Sequence, residues 1–469
     1  MLMQIFKGGF SMKSMQKRNQ FTFGLGTIGR DMLYSLVSMY LMFYLTDIMQ
    51  HPDSTLWWLT GILLVARIFD AVNDPIMGVI VDNTHSRFGK FKPWIAVGAL
   101  LTGIFTVLMY TDFGLRETPY LVYFAVIYFC WDISFTANDI GYWSMLPSLS
   151  MDQKEREKIG AFARICANIG LFAVVVGIVP ITQALGNYFG SMIKAYFVFS
   201  VAVTIIMWLG QSITLFGVKE LRGVFKVEDT TTLKGMFKAI FHNDQLLFTT
   251  VSMALFMIGY TTTTSFGIYY FKYAYGDEGM YSIFALILGV TQVIALAVFP
   301  LFSRHFDRKK LYAGSTVLVV LGYILFFFAP MNMIFIGTAG VLVFLGQAFI
   351  QLLMLMFLSD TIEYGQWKLG KRNDSVTLSL QPFINKIGGA IASGIVGATV
   401  IISGISGAES KADVTERGML ILEMSMFVLP LICIVAGYLI YRRKYKIDEK
   451  LYKQIVSELK ERGDISLDE

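Results

Sequence analysis

The sequence predicts an all-α membrane protein with twelve transmembrane helices in two six-helix halves. Three observations carry that prediction. Of the 469 residues, 55% are hydrophobic and only 16% charged, against about 25% charged in soluble domains. Apolar runs of about 20 residues, enough to cross a bilayer, recur from end to end. Lys and Arg also alternate between loops. The connection after the second run carries Arg87, Lys90 and Lys92, and that after the fourth carries Lys154, Arg156 and Lys158. Arg304, Arg308, Lys309 and Lys310 follow the eighth run, and Lys368, Lys371 and Arg372 the tenth, whereas IMQHPDST and APMNM carry none. The positive-inside rule then places both termini and the basic loops in the cytoplasm, in a multi-pass protein of the plasma membrane. The net charge of +5 is therefore a topology signal, and nucleic acid is not an expected partner.

In chain order the expected spans cover 22–46, 57–81, 94–112, 119–147, 161–187, 193–217, 246–272, 279–302, 312–330, 332–358, 376–404 and 418–441. The longest cytoplasmic connection, 218–245, separates an N-terminal half (1–217) from a C-terminal half (246–441), and 442–469 form a cytoplasmic tail. Within the connection Leu233, Met236, Phe237 and Ile240 recur at helical spacing, as in a helix lying at the membrane interface. The tail places Leu451, Ile455 and Leu459 on one face of a short amphipathic helix, read as a soluble tail ahead of a partner-binding segment. Cys130, Cys166 and Cys433 fall inside apolar spans and read as small buried hydrophobes. The head has no signal-peptide h-region or cleavage site, and Met12 or Met15 would also serve as a start.

The chemistry lies in charges placed where water is absent. Asp70 and Asp74, in LLVARIFDAVNDPIMGVIV, are one helical turn apart and share a face. An ionised group at mid-membrane costs roughly 2.5–3.5 kcal/mol on insertion scales, so such a pair is a functional candidate by default. With Asn73 and Thr136 it forms an all-oxygen donor set suited to a hard cation. Arg67, three residues before Asp70, reads equally as a structural counter-charge or as part of the site. Asp31, Asp139, Arg164 and Lys386 come from four different spans, with Arg30 beside Asp31 and with Gln381 and Asn385 near Lys386. Mixed acids and bases around a shared cavity suit a sugar, whose hydroxyls both donate and accept. Trp143, one turn after Asp139, offers a face for a pyranose ring, or else belongs to the interfacial aromatic belt. The TTTTSFGIYYFKYAYG run and Gln347 with Gln351 are weaker hydroxyl-binding surfaces, with helix packing as their default role. No cofactor, and no metal beyond a coupling cation, is called for.

Four segments carry a resemblance: GTIGRDMLYSLVSMYLMFYLTD, ARIFDAVNDPIMGVIVDNTHSRFGKFKPWI, DIGYWSMLPSLSMDQKERE and FGIYYFKYAYGD. Over nearly the whole chain the sequence resembles the glycoside–pentoside–hexuronide:cation symporters of the major facilitator superfamily. Gly78, Asp82, Arg87, Gly89 and Lys90 look like the facilitator signature between the second and third spans, and SRHFDRKKLYAG is a looser echo in the second half. The resemblance implies a twelve-helix facilitator fold and cation-coupled uptake of a sugar or glycoside, with no bond broken and hence no enzyme. It implies a cation site of Asp70, Asn73, Asp74 and Thr136, and a sugar site of Arg30, Asp31, Asp139, Trp143, Arg164 and Lys386. Arg30 replaces a lysine there and keeps its charge.

Asp132 departs from the pattern, which has a small uncharged residue at that place. Seven residues before Asp139, it lies about 10 Å further outward at 1.5 Å per residue, near the level of Asp70. Five acids then face four bases. Asp132 is expected to modify ion selectivity among Na⁺, H⁺ and Li⁺, because clustered carboxylates disfavour joint ionisation. The partners expected are a small sugar or glycoside, a monovalent cation and the bilayer, with the protein a monomer. An uncoupled facilitator or exchanger and a non-transporting sugar sensor are the rival readings.

Overall fold

The computed structural model describes residues 2–220, 240–277, 279–405, 408 and 411–465. Side chains at 2–14, Asp47 and Asp53 lie outside that description, as do the expected interfacial residues Leu233, Met236 and Phe237. The chain is almost wholly helical. The helices are α1 (Leu2–Phe43), α2 (Asp53–Asp82), α3 (Lys92–Met109), α4 (Glu117–Ser144), α5 (Gln153–Phe189) and α6 (Met192–Gly217). They continue with α7 (Asp244–Tyr269), α8 (Met280–His305), α9 (Arg308–Phe328), α10 (Met333–Leu369), α11 (Asp374–Ile402), α12 (Glu416–Lys444) and α13 (Glu449–Glu461). Among the described residues eleven helices are long and apolar enough to cross a membrane. With α1, whose later part coincides with the expected first span, they match the twelve-span reading. The expected spans fell short mainly at the ends that meet the basic loops: α5 starts at Gln153 rather than 161, and α10 runs on to Leu369.

The chain forms two compact units. The first comprises 1–233 with 374–379 and 466–469, and the second comprises 234–373 with 380–465. In the first unit α1 packs against α5 and α6. Two glycines make that approach close. A Cβ on Gly29 would stand 2.5 Å from the Met207 backbone, and one on Gly170 would stand 2.2 Å from the Ile28 carbonyl. Small residues let membrane helices pack this tightly, where no hydrophobic drive separates helix from lipid. Leu33, Leu36, Val37, Tyr44, Tyr110, Phe124 and Trp131 fill the interior beside them.

The second unit is cored by aromatic rings. Phe284 lies 5.2 Å from both Phe271 and Phe344, and Phe427 lies 4.8 Å from Phe326. The tail helix α13 belongs to this unit and packs on α10. Its buried stripe is Tyr452, Ile455 and Leu459, while Leu451 is only half-buried. Ile455 and Leu459 are thus buried as expected, Tyr452 takes the place of Leu451, and the helix is a docked element rather than a free tail. Trp367 Nε1 donates to Glu458 at 2.6 Å, and Arg462 donates to the Trp367 carbonyl at 2.9 Å.

Candidate functional site

One turn of α4 organises the first unit. Thr136 Oγ1 donates to Asp70 Oδ1 on α2 at 3.2 Å. Two residues on, Asn138 donates to the Ile95 carbonyl of α3 at 2.9 Å and to Gln211 of α6 at 3.1 Å. Gln211 in turn donates to the Gly26 carbonyl of α1 at 2.8 Å. Asp139, the next residue, accepts from Arg30 of α1 at 2.9 Å. Hydrogen bonds between membrane helices average about 0.6 kcal/mol, so this network fixes helix register more than it adds stability.

Arg30 is 3% exposed and grips two carboxylates. Its Nη1 meets Asp139 at 2.9 Å, and its Nη2 and Nε meet Asp31 at 2.9 and 3.2 Å. The guanidinium also lies 5.0 Å from the Tyr142 ring centre and 5.3 Å from that of Trp143. Arg164, half-buried on α5, lies 4.4 Å from the other arginine's tryptophan, Trp143. Such cation–π contacts are worth about 2 kcal/mol when desolvated. Trp143 itself is 6% exposed, so its ring is an interior platform and not a membrane-belt residue. The carboxylates keep an open edge: side-chain exposure is 24% at Asp31 and 20% at Asp139. Arg30 therefore holds both acids in place, while Asp31, Asp139 and Arg164 retain surface for a polar ligand. Tyr142, which the sequence reading passed over, donates to the Phe23 carbonyl and stacks on that ring at 4.5 Å.

The second group lies along α2 and α4. Asp74 is 2% and Thr136 3% exposed, and Asp70 and Asn73 are half-buried. Asn73 Nδ2 is buried without a hydrogen-bond partner among the described residues. Asp132 is 5% exposed. Arg67 is exposed at the surface of this unit. Lys386 and Asn385 lie on the part of α11 that belongs to the second unit.

The signature loop also has a definite geometry. Asp82 accepts from the Ser375 and Val376 backbone N–H groups at 3.0 and 2.9 Å, capping the first turn of α11. Lys90 bonds Asp82 at 2.5 Å and Asp374 at 3.4 Å. A Cβ on Gly78 would lie 2.9 Å from the Ser375 carbonyl, so only glycine admits this approach without a shift. In the second unit, Arg308 of the looser echo pairs with Asp360.

The family described as MFS/sugar transport protein matches residues 22–449. The chain belongs to that family. Among its relatives, the lactose permease of Lactobacillus helveticus is 31% identical over 94% of this chain and 71% of its own length. The raffinose carrier protein of Pediococcus pentosaceus is 32% identical over 93% of this chain and 70% of its own length. In fold, the outward-conformation structure of the facilitator transporter FucP aligns over 92% of this chain and 99% of its own with a TM-score of 0.67, at 15% identity. The protein is thus a multi-pass sugar transporter of the major facilitator superfamily, and its relatives are permeases and carriers rather than enzymes.

Proposed function

We propose that the protein is a cation-coupled symporter that brings a neutral sugar or glycoside into the cell by alternating access. It would act as a monomer in the plasma membrane with both termini cytoplasmic. The observation that carries the reading is the shared turn of α4: Thr136 touches Asp70 and, three residues later, Asp139 touches Arg30. A cation held by Asp70, Asn73, Asp74 and Thr136 would fix the orientation of that turn. It would thereby hold Asp139 ready for sugar hydroxyls, with Asp31 and Arg164 as further partners and Trp143 as stacking face. Arg30 acts as a positioning residue. A reciprocal coupling of about 1–3 kcal/mol between the two ligands is the expected size. Lactose and raffinose, named for two relatives, both contain a galactosyl ring, so galactosides are the first class to test.

The test is sugar uptake into proteoliposomes under imposed Na⁺, Li⁺ or H⁺ gradients. Accumulation above equilibrium with at least one ion is expected. Asp70→Asn and Asp74→Asn should each abolish cation stimulation and leave weak sugar binding. Equilibration alone in the wild type, whatever the gradient, would assign the protein to uncoupled facilitators instead.

A further inference from the structure

The second unit holds a neutral polar cluster that packing does not account for. Tyr260 of α7 accepts from Gln292 Nε2 of α8 at 3.1 Å, and Gln351 of α10 lies near the same hydroxyl. All three lie mid-helix and all three are half-buried. One turn away is a second polar group of different character. Thr263 bonds the Tyr323 hydroxyl, with Gln347 alongside, and these residues are 3%, 1% and 0% exposed. That second group is buried, though the Gln347 amide has no hydrogen-bond partner among the described residues. Tyr260, Gln292 and Gln351 are instead each partly exposed. Each glutamine offers two donors and two acceptor lone pairs, and a single phenol cannot use them all.

In height along the helices, the cluster lies about one and a half turns from Lys386. α7 and α11 are both odd-numbered crossings and run the same way. A Cβ on Gly388 would stand 3.0 Å from the Met257 side chain, which fixes their register. Tyr260 lies three residues beyond Met257 and Lys386 two before Gly388, so the two differ in height by about 7.5 Å at 1.5 Å per residue.

We propose that Tyr260, Gln292 and Gln351 form a sugar-reading subsite of the second unit, specific for the hydroxyls of an uncharged glycosyl ring. The trio carries no charge, so it matches alcohols, which donate and accept, and offers nothing to a carboxylate. This deepens the transport reading and rests on it.

Specificity for hydroxyls is tested with lactose, its set of monodeoxy derivatives and methyl glucuronide as probes, on purified protein with saturating cation. A site built to bond a hydroxyl rejects the analogue that lacks it. In the wild type, loss of certain hydroxyls should weaken binding roughly 5–10-fold, the size of one net hydrogen bond, and the glucuronide should bind worse than the neutral sugars. In Gln351→Leu at least one of those penalties should fall below twofold while the others persist, and Tyr260→Phe should erase a penalty likewise. Tyr260→Phe removes one oxygen and serves if the leucine variant misfolds. Equal weakening of every derivative, or unaltered penalties in both variants, would overturn the proposal, as would a wild type indifferent to every hydroxyl. Failure of the site in the first unit has another signature: Asp139→Ala would leave lactose binding unchanged. Binding of none of the probes by the wild type overturns both.

Discussion

Asp132 is the acid that departs from the family pattern. It is buried, one turn before Thr136, which bonds Asp70. If it belongs to the cation site, Asp132→Asn should shift the ion preference of transport toward Na⁺ or Li⁺ and away from H⁺. Uptake measured against pH at fixed Na⁺ reads this directly, and superimposable wild-type and variant profiles would remove Asp132 from ion selection. His51 is a second decisive residue, in the loop between α1 and α2. Its ring is 6% exposed, stacks on Tyr120 at 4.2 Å, and its Nε2 has no hydrogen-bond partner among the described residues. Burial holds its pKa below the usual 6.5, and Arg116 adds to the depression while Asp112 opposes it. The unfolded chain therefore binds this proton more readily than the folded one. Stability from the neutral ring is complete above the ordinary histidine value and is lost as pH falls from there through the lower folded-state value. Melting temperatures from pH 8 to pH 5 should drop more steeply for the wild type than for His51→Phe, and parallel curves would exclude the histidine as the cause.

At the scale of elements, α13 gives the clearest prediction. Ile455 and Leu459 are fully buried against the second unit, so Ile455→Ala and Leu459→Ala should each cost about 2–5 kcal/mol. Exposed Lys460→Ala should stay within about 0.5 kcal/mol. Thermal unfolding in detergent compares them, and equal melting points would mean that α13 does not stay docked. Much of the element plan was legible beforehand, because apolar length and basic loops are strong signals that act over many residues. What escaped was set by tertiary contact. The periodicity of the tail fitted Leu451 as well as Tyr452, and only packing on α10 selects the tyrosine. Trp143 was ambiguous because a tryptophan near a helix end fits a membrane interface as well as a cavity wall. Two arginines, from α1 and α5, meet its ring in the interior, and their convergence has no trace in local spacing. Asp70, Asp74, Asp31 and Asp139 were readable for the opposite reason: a charge in an apolar span is costly wherever it points. The neutral Tyr260, Gln292 and Gln351 give no such signal one at a time.

At the scale of the whole molecule, the Asp82 cap on the first turn of α11 joins segments that are distant in sequence. The capped residues 374–379 belong to the first unit, whereas the rest of α11 belongs to the second. If the first turn of α11 is to move with its own helix, the bonds from Ser375 and Val376 to Asp82 must open. A carboxylate at a helix N-terminus is favoured by the orphan N–H groups and the helix dipole, and Lys90 offsets its charge. Asp82→Ala leaves two backbone donors without their acceptor and Lys90 without its nearer partner. The variant should lose about 1–3 kcal/mol of stability, the cost of unsatisfied buried groups, and should transport slowly while its sugar affinity changes little. Lys90→Ala keeps both capping bonds and should be milder on both counts. Initial uptake rates and melting temperatures of the two variants test the order. A Lys90→Ala defect equal to or larger than that of Asp82→Ala would mean that charge pairing, and not the helix cap, holds α11 in place.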